Sequence, residues 1–365
     1  MAKGKVTVVL GGQAGSEGKG KVAGYLALSG EYTAAVCNFM PNAGHTWVSD
    51  RDIEVVVRHL PQAVINDDMT LWISAGAAID PDLFREEVDK YSVDPNRIYI
   101  HPRAVVITKE HKEREALELA RIASTMKGCG AALADKAMRT ATLAKDHHYL
   151  HKFVDLHWDE RLWDAIYQKG QNVLIEAPQG FDLDINHGLE YPYCTSRQTI
   201  TAQVIADAGL PPQAVDEVFA VIRPYPIRVG NIYGRDGEVI GYSGKYGTSK
   251  ELTWQEIEER AGAPKGSIRE YTTVTGRLRR VFEPDFHQIK RMCRVNGVTG
   301  LVLNFANYID WGIFGATSVK EITPKVWAFV NKLQEETGVP VVMLGTGPRN
   351  SHMIDLRDVV LPGHP

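Results

Sequence analysis

The chain has 365 residues, 44% of them hydrophobic, which is enough for a substantial core and argues against disorder. Its net charge of −4 argues against general nucleic-acid or membrane binding, so an anionic ligand must be held by local clusters of Lys, Arg and backbone N–H groups. Four widely spaced cysteines (Cys37, Cys129, Cys194 and Cys293) with no C-x-x-C pair read as buried, reduced thiols, and no signal-peptide pattern or long apolar run is present, so a soluble, cytoplasmic protein is expected.

The first apolar run, Val6–Leu10, reads as a buried strand. It enters "GGQAGSEGKGK" (Gly11–Lys21), and Lys19–Leu28 reads as the helix that leaves it. The loop is not a standard P-loop: five positions before Gly18 stands Gln13, and Gly20 takes the place of the magnesium-binding hydroxyl. Its glycines still let backbone N–H groups face phosphate oxygens, with Lys19 adding a charge. A second strand, Ala34–Phe39, leads into "PNAGHTW" (Pro41–Trp47), where His45 suits a general acid or a donor to a developing oxyanion. Further strands are expected at Glu54–Val57, Leu71–Ser74, Ile98–Ile100, Val173–Ile175, Leu301–Phe305 and Val341–Leu344. Helical patterns at Pro81–Tyr91, Lys109–Ser124, His157–Gln168 and Pro324–Thr337 alternate with them. Alternation of this kind predicts an α/β fold around a mostly parallel sheet, with ligands at the carboxyl ends of its strands. Ile232–Gly247 reads as a glycine-rich hairpin excursion.

Together "GGQAGSEGKGK" and "NAGHT" resemble the adenylosuccinate synthetase family, whose pattern is G-x-x-x-G-D-E-G-K-G-K followed by N-A-G-H-T. The resemblance continues in order through "STMKGCGAALADKAMR" (Ser124–Arg139), "EAPQGFDLDINHGLEYPYCTS" (Glu176–Ser196), "TVTGRLRR" (Thr273–Arg280) and "GVPVVMLGTGPR" (Gly338–Arg349). It implies one large domain over residues 1–365 with a P-loop-like α/β fold. The implied reaction phosphorylates a purine 6-oxygen and then displaces the phosphate with the amino group of aspartate.

By matching position, the resemblance gives the nucleotide donor to Gly15, Glu17, Gly18, Lys19, Gly20 and Thr46, together with Asn304, Phe305, Asn307, Gly345, Gly347 and Pro348. It gives the purine monophosphate to Ser16, Asn42, Ser124, Thr125, Gln179, Leu183 and Thr195, with Arg139 arriving from a neighbouring subunit of a homodimer. Thr273, Thr275, Gly276, Arg277 and Arg279 match the loop that clamps the aspartate carboxylates, work for which the planar guanidinium fork is well shaped. The catalytic set is Ser16, His45 and Gln179, and Ser16 and the Gly44 carbonyl would contact Mg²⁺.

Two departures from the family pattern redirect the substrate expectation. Ser16 stands where the family has an aspartate that takes the N1 proton of inosine monophosphate, and a serine hydroxyl is a poor base. A short neutral side chain leaves room for the 2-amino group of guanine and can accept its hydrogen bond. Asn307 stands where the family has the aspartate that selects guanine in the donor, and Phe305 replaces a lysine. An amide has one donor and one acceptor side, which suits the N6-amino group and N1 of adenine. Both changes resemble the phage branch of the family, which joins aspartate to dGMP on the route to 2-aminoadenine DNA. The expectation is therefore dGMP, L-aspartate and ATP or dATP as substrates, in the cytoplasm, which is that of a host cell if the protein is phage-encoded. An ordinary adenylosuccinate synthetase acting on IMP, and a nucleotide-binding regulator that has lost catalysis, are the alternatives.

Overall fold

A nine-stranded sheet runs through the middle of the molecule in the computed structural model, which describes residues 2–272 and 276–360. In chain order its strands are β1 (Val6–Gly11), β2 (Ala34–Cys37), β3 (Thr70–Ile73), β4 (Ile98–Ile100), β5 (Val173–Glu176), β6 (Glu217–Ile222), β7 (Gly300–Leu303), β8 (Val341–Gly345) and β9 (Met353–Asp355). They lie in the order β9-β8-β7-β6-β1-β5-β2-β3-β4. Neighbours are parallel throughout, except for the β8–β9 pair at one edge.

Every residue of β1 is buried, as expected for a central parallel strand with both faces covered by helices. The two-residue period sends Val6, Val8 and Leu10 into one core layer and Val9 into the other. The first layer packs beneath the helices Trp158–Tyr167, Phe286–Asn296 and Pro324–Thr337, and the second beneath α1 (Lys19–Ala27). Helix 324–337 shows why these segments start and stop where they do. The Thr323 side chain accepts from the Val326 N–H, proline occupies the first turn, and Gly338 turns left-handed at the end with φ 73°.

Most expected elements form within a residue or two of their expected ends. The Lys109–Ser124 pattern is a helix only over Lys109–Glu118, followed by a short 3-10 turn and a left-handed Ala123 at φ 55° that frees Ser124 for a loop. Glu54–Val57 leaves the main sheet and pairs antiparallel with His45–Val48. Strand β6, absent from the expected set, lies directly beside β1. The glycine-rich excursion is a hairpin of Ile232–Tyr233 with Val239–Gly241, close to a small sheet of Ile227–Arg228, Arg280–Phe282 and Glu251–Leu252. All four cysteines are free; Cys194 is half-buried and the other three are buried, with Cys129 and Cys194 both on the wall of the main cavity. Among the described residues no helix is long and apolar enough to cross a membrane.

Candidate active site

The loops leaving the carboxyl ends of β1, β2, β5, β6, β7 and β8 converge on a cavity of about 730 Å³. In the loop after β1, the chain turns through left-handed conformations at Gly15 (φ 89°), Ser16 (φ 58°) and Gly18 (φ 85°). A Cβ on Gly18 would stand 2.7 Å from the Asn304 side-chain nitrogen, so glycine is required there by contact as well as by φ. Glu17 is fully buried inside the loop. One carboxylate oxygen accepts from the Gln13 and Gly15 N–H groups at 3.1 and 2.8 Å, and the other pairs with Lys19 Nζ at 3.1 Å. Asn304, from the end of β7, donates to the carbonyls of Glu17 and Gly18 at 2.9 and 3.1 Å and locks the loop from the other side. The loop is thus fixed before a ligand arrives, which is what electrostatic preorganisation requires.

Ser16, Gln179 (φ 56°) and Phe305 (φ 59°) are non-glycine residues in the left-handed region, and all three line the cavity. Such conformations cost about 1–3 kcal/mol each and cluster at functional sites. The Ser16 hydroxyl makes no hydrogen bond to any described residue, whereas its carbonyl accepts from Arg223 at 3.0 Å.

His45 follows the β2 loop and is almost fully buried, stacked on Phe39 with ring centroids 3.9 Å apart. Its Nδ1 lies 2.7 Å from Glu176 Oε1, at the end of β5, and Glu176 Oε2 accepts from the Gln62 N–H at 2.9 Å. A carboxylate only accepts, so Nδ1 carries a proton, and a donating Nε2 requires the imidazolium form, whose charge Glu176 balances. Gln179 donates to Asn42 Oδ1 at 2.7 Å, tying the loops after β5 and β2 together. The hydroxyl of Thr195 is buried on the cavity wall without a partner among the described residues, ready to donate to an incoming oxygen.

Toward the basic loop, Glu270 joins two arginines. Arg279 donates to it at 2.6 Å, and Arg223, fully buried, donates to both of its oxygens. Burial pushes the Glu270 carboxyl upward, but Arg223 and then Arg279 outweigh it and hold the group at about 2. Glu270→Gln should therefore lower the unfolding free energy by about 3–5 kcal/mol, because it strands a buried guanidinium. The folded-state value is depressed, so this contribution is complete above the ordinary carboxylate range and disappears as pH falls toward about 2. Urea melts of wild type and variant should differ at pH 7 and converge as the pH is lowered through that range.

Next to this cluster the wall is formed by Asn304, Phe305, Asn307, Trp311, Phe314, Gly347 and Pro348. The Asn307 side chain is buried and makes no hydrogen bond to any described residue, so its amide faces the cavity unsatisfied. Arg223 lies 4.2 Å over the Phe305 ring and Trp311 stacks on Phe314.

Of the residues expected from sequence, Gly15, Ser16, Gly18, Lys19, Gly20, Asn42, Gly44, His45 and Thr46 line this cavity. So do Ser124, Thr125, Gln179, Leu183, Thr195, Arg279, Asn304, Phe305, Asn307, Gly347 and Pro348. Five others do not reach the wall. Glu17 is turned into its own loop, and Gly345 lies beneath Asn304, where a Cβ would meet Oδ1 at 1.9 Å. Arg139 is exposed at the end of helix Cys129–Met138, Gly276 is exposed, and Arg277 donates to the Gly230 and Ala123 carbonyls at 3.0 and 3.3 Å. Thr273 and Thr275 lie outside the described residues. Sequence reasoning missed Glu176, Glu270 and Arg223. Glu176 heads the "EAPQG" segment, but nothing in its local sequence shows that it faces His45 across two strands.

The parallel sheet with a glycine-rich loop and an α-helix at its centre, and a cavity shared by a buried His–Glu pair and arginines, define an α/β nucleotide-binding enzyme. The adenylosuccinate synthetase family model matches residues 8–160 and 147–311, and the chain belongs to that family, whose members are ligases forming a C–N bond. It is 37% identical over 361 residues to an adenylosuccinate synthetase of Methanococcus vannielii, covering 96% of this chain and 99% of that one. It is 35% identical to one from Thermococcus onnurineus, covering 97% and 99%. Among solved structures, cyanophage S-2L succinoaminodeoxyadenylate synthetase, bound to dGMP and dATP as an energy donor, superposes with a TM-score of 0.80 at 29% identity over 97% of this chain and 95% of that one. A fully ligated adenylosuccinate synthetase from Plasmodium falciparum shares the fold, with a TM-score of 0.79 at 18% identity over 96% of this chain and 100% of that one.

Proposed function

We propose that the protein joins L-aspartate to C6 of dGMP, using ATP or dATP, to give N6-succino-2-amino-2′-deoxyadenylate, (d)ADP and phosphate. The observation that carries this reading is Ser16, a cavity-lining residue in a left-handed conformation with its hydroxyl free of partners among the described residues. It offers an acceptor and space to a 2-amino group where a carboxylate base would serve a hypoxanthine. The likeness to the cyanophage enzyme, whose structure holds dGMP and dATP, supports the same assignment. The relatives at 34–37% identity, named adenylosuccinate synthetases, support the alternative acceptor IMP.

In this reading the purine lies against Asn42 and Gln179, its 5′-phosphate reaches Ser124, Thr125 and Thr195, and the donor base meets Asn307. O6 of dGMP bonds to the γ-phosphorus as the bond to the ADP leaving oxygen breaks, and the N1 proton passes to water. His45 donates to O6 as charge builds there. The aspartate amine, with its carboxylates held by Arg279 and the basic loop, then bonds to C6, the C6–O bond breaks, and phosphate leaves. Mg²⁺ would neutralise donor phosphate charge. Ser16 and the Gly44 carbonyl, both on the wall, would hold such an ion, since Mg²⁺ takes hard oxygen ligands and keeps phosphates and waters in its shell. Arg139, exposed and off its own cavity wall, is assigned to a second copy's active site in a homodimer.

A matrix of dGMP and IMP against ATP, dATP and GTP, read by phosphate release and mass detection of the succinyl adduct, tests the assignment. Within it, Asn307→Asp is expected to reverse the donor preference from ATP to GTP by about 100-fold in kcat/KM, because a carboxylate accepts from guanine and cannot donate to N1 of adenine. Unchanged preference for ATP would remove Asn307 from base recognition.

A further inference from the structure

Lys21 lies on the first turn of α1 with its side chain buried on the cavity wall, and it forms no ion pair with any described residue. Its ammonium donates instead to two carbonyls of the segment after β8, Gly347 at 2.7 Å and His352 at 2.5 Å. A buried cation without a carboxylate is costly, and burial alone pushes this one down to about 7. The charged groups of the surrounding elements do not compensate it. Burial, with Lys21 and Arg349 nearby, holds the His352 imidazole below its ordinary range, so it supplies no counter-charge; Arg349 carries the same sign, while Asp52 is taken by Arg349 at 2.7 Å and Asp50 by the Ser351 N–H at 2.8 Å. The segment has other ties: Thr346 donates to the Ala316 carbonyl at 2.7 Å, and Trp47 donates to Asn350 at 2.9 Å. Lys21 holds the carbonyl of Gly347, whose neighbour Pro348 belongs to the same wall as Asn307.

We infer that Lys21 is a positioning residue for the donor nucleotide, fastening the Gly347–Pro348 wall of the donor-base pocket to the helix that follows the phosphate loop. The inference rests on the reading of that end of the cavity as the donor side. Phosphate loop and base wall then move as one body, and an unneutralised cation sits beside the place where a polyanion enters.

Steady-state KM values for donor, purine monophosphate and aspartate in wild type, Lys21→Met and Lys21→Arg test this. Lys21→Met is expected to raise the donor KM about tenfold or more, with the other two KM values changed less than about twofold, and Lys21→Arg to recover most of the loss. In wild type the donor KM should climb as pH rises through about 7, and in Lys21→Met it should stay flat. A donor KM within about twofold of wild type in Lys21→Met, or three KM values rising together, would overturn the inference. The effect is scored on whichever nucleotide wild type uses best, so a preference for GTP would refute the adenine-donor reading while the role of Lys21 is still decided by its own KM pattern.

Discussion

His45→Ala is expected to lower kcat by about 100- to 1,000-fold while the KM values for all three substrates move only severalfold. In the proposed reaction His45 would meet O6 with full force only as charge develops there, and one preorganised donor of this type lowers the barrier by about 2.7–4 kcal/mol. The burial of the ring, its stack on Phe39 and its 2.7 Å contact with Glu176 show that the geometry exists before substrate binds. Glu176→Gln separates position from charge. Its amide oxygen still accepts from Nδ1, but the negative charge beside the ring is gone, so kcat should fall while the three KM values change little. A Glu176→Gln enzyme with wild-type kcat would show that the carboxylate charge plays no part.

Ser16→Asp is expected to exchange the acceptor. The added carboxylate fills the space assigned to the 2-amino group and supplies a base for N1, so kcat/KM for dGMP should fall by about 100-fold and that for IMP should rise. Aspartate tolerates the left-handed backbone at this position, so the loop should keep its shape. Ser16→Ala keeps the space and removes the acceptor, and should cost dGMP about tenfold. Measuring both acceptors in both variants distinguishes a steric from a hydrogen-bonding role.

Local pattern carried most of the fold. The apolar runs of β1, β2, β5 and β8 and the capped helix 324–337 appear close to where their residues predict, because each is decided by its own periodicity and end signals. The antiparallel partner of Glu54–Val57 and the missed β6 concern strand pairing, which sequence periodicity does not specify. The same division holds in the site. Glycines and Lys19 in one short loop are legible as a phosphate cradle, whereas the His45–Glu176 contact spans 131 positions and the Arg223–Glu270 pair spans 47. Glu17 looks like a ligand residue from its place in the loop, yet its carboxylate serves the loop amides, since a tight turn exposes more N–H groups than its own backbone can satisfy. Lys21 escapes notice in sequence because only burial without a counter-charge sets it apart.

Whether dGMP or IMP is the acceptor decides which enzyme this is, and a competition between the two resolves it. Purified protein is given equimolar dGMP and IMP in one vessel with Mg²⁺, L-aspartate and ATP, and the adducts are resolved by mass. With Ser16 shaping the acceptor pocket, N6-succino-2-amino-2′-deoxyadenylate is expected as the dominant product; a dominant adenylosuccinate peak would contradict the assignment of dGMP.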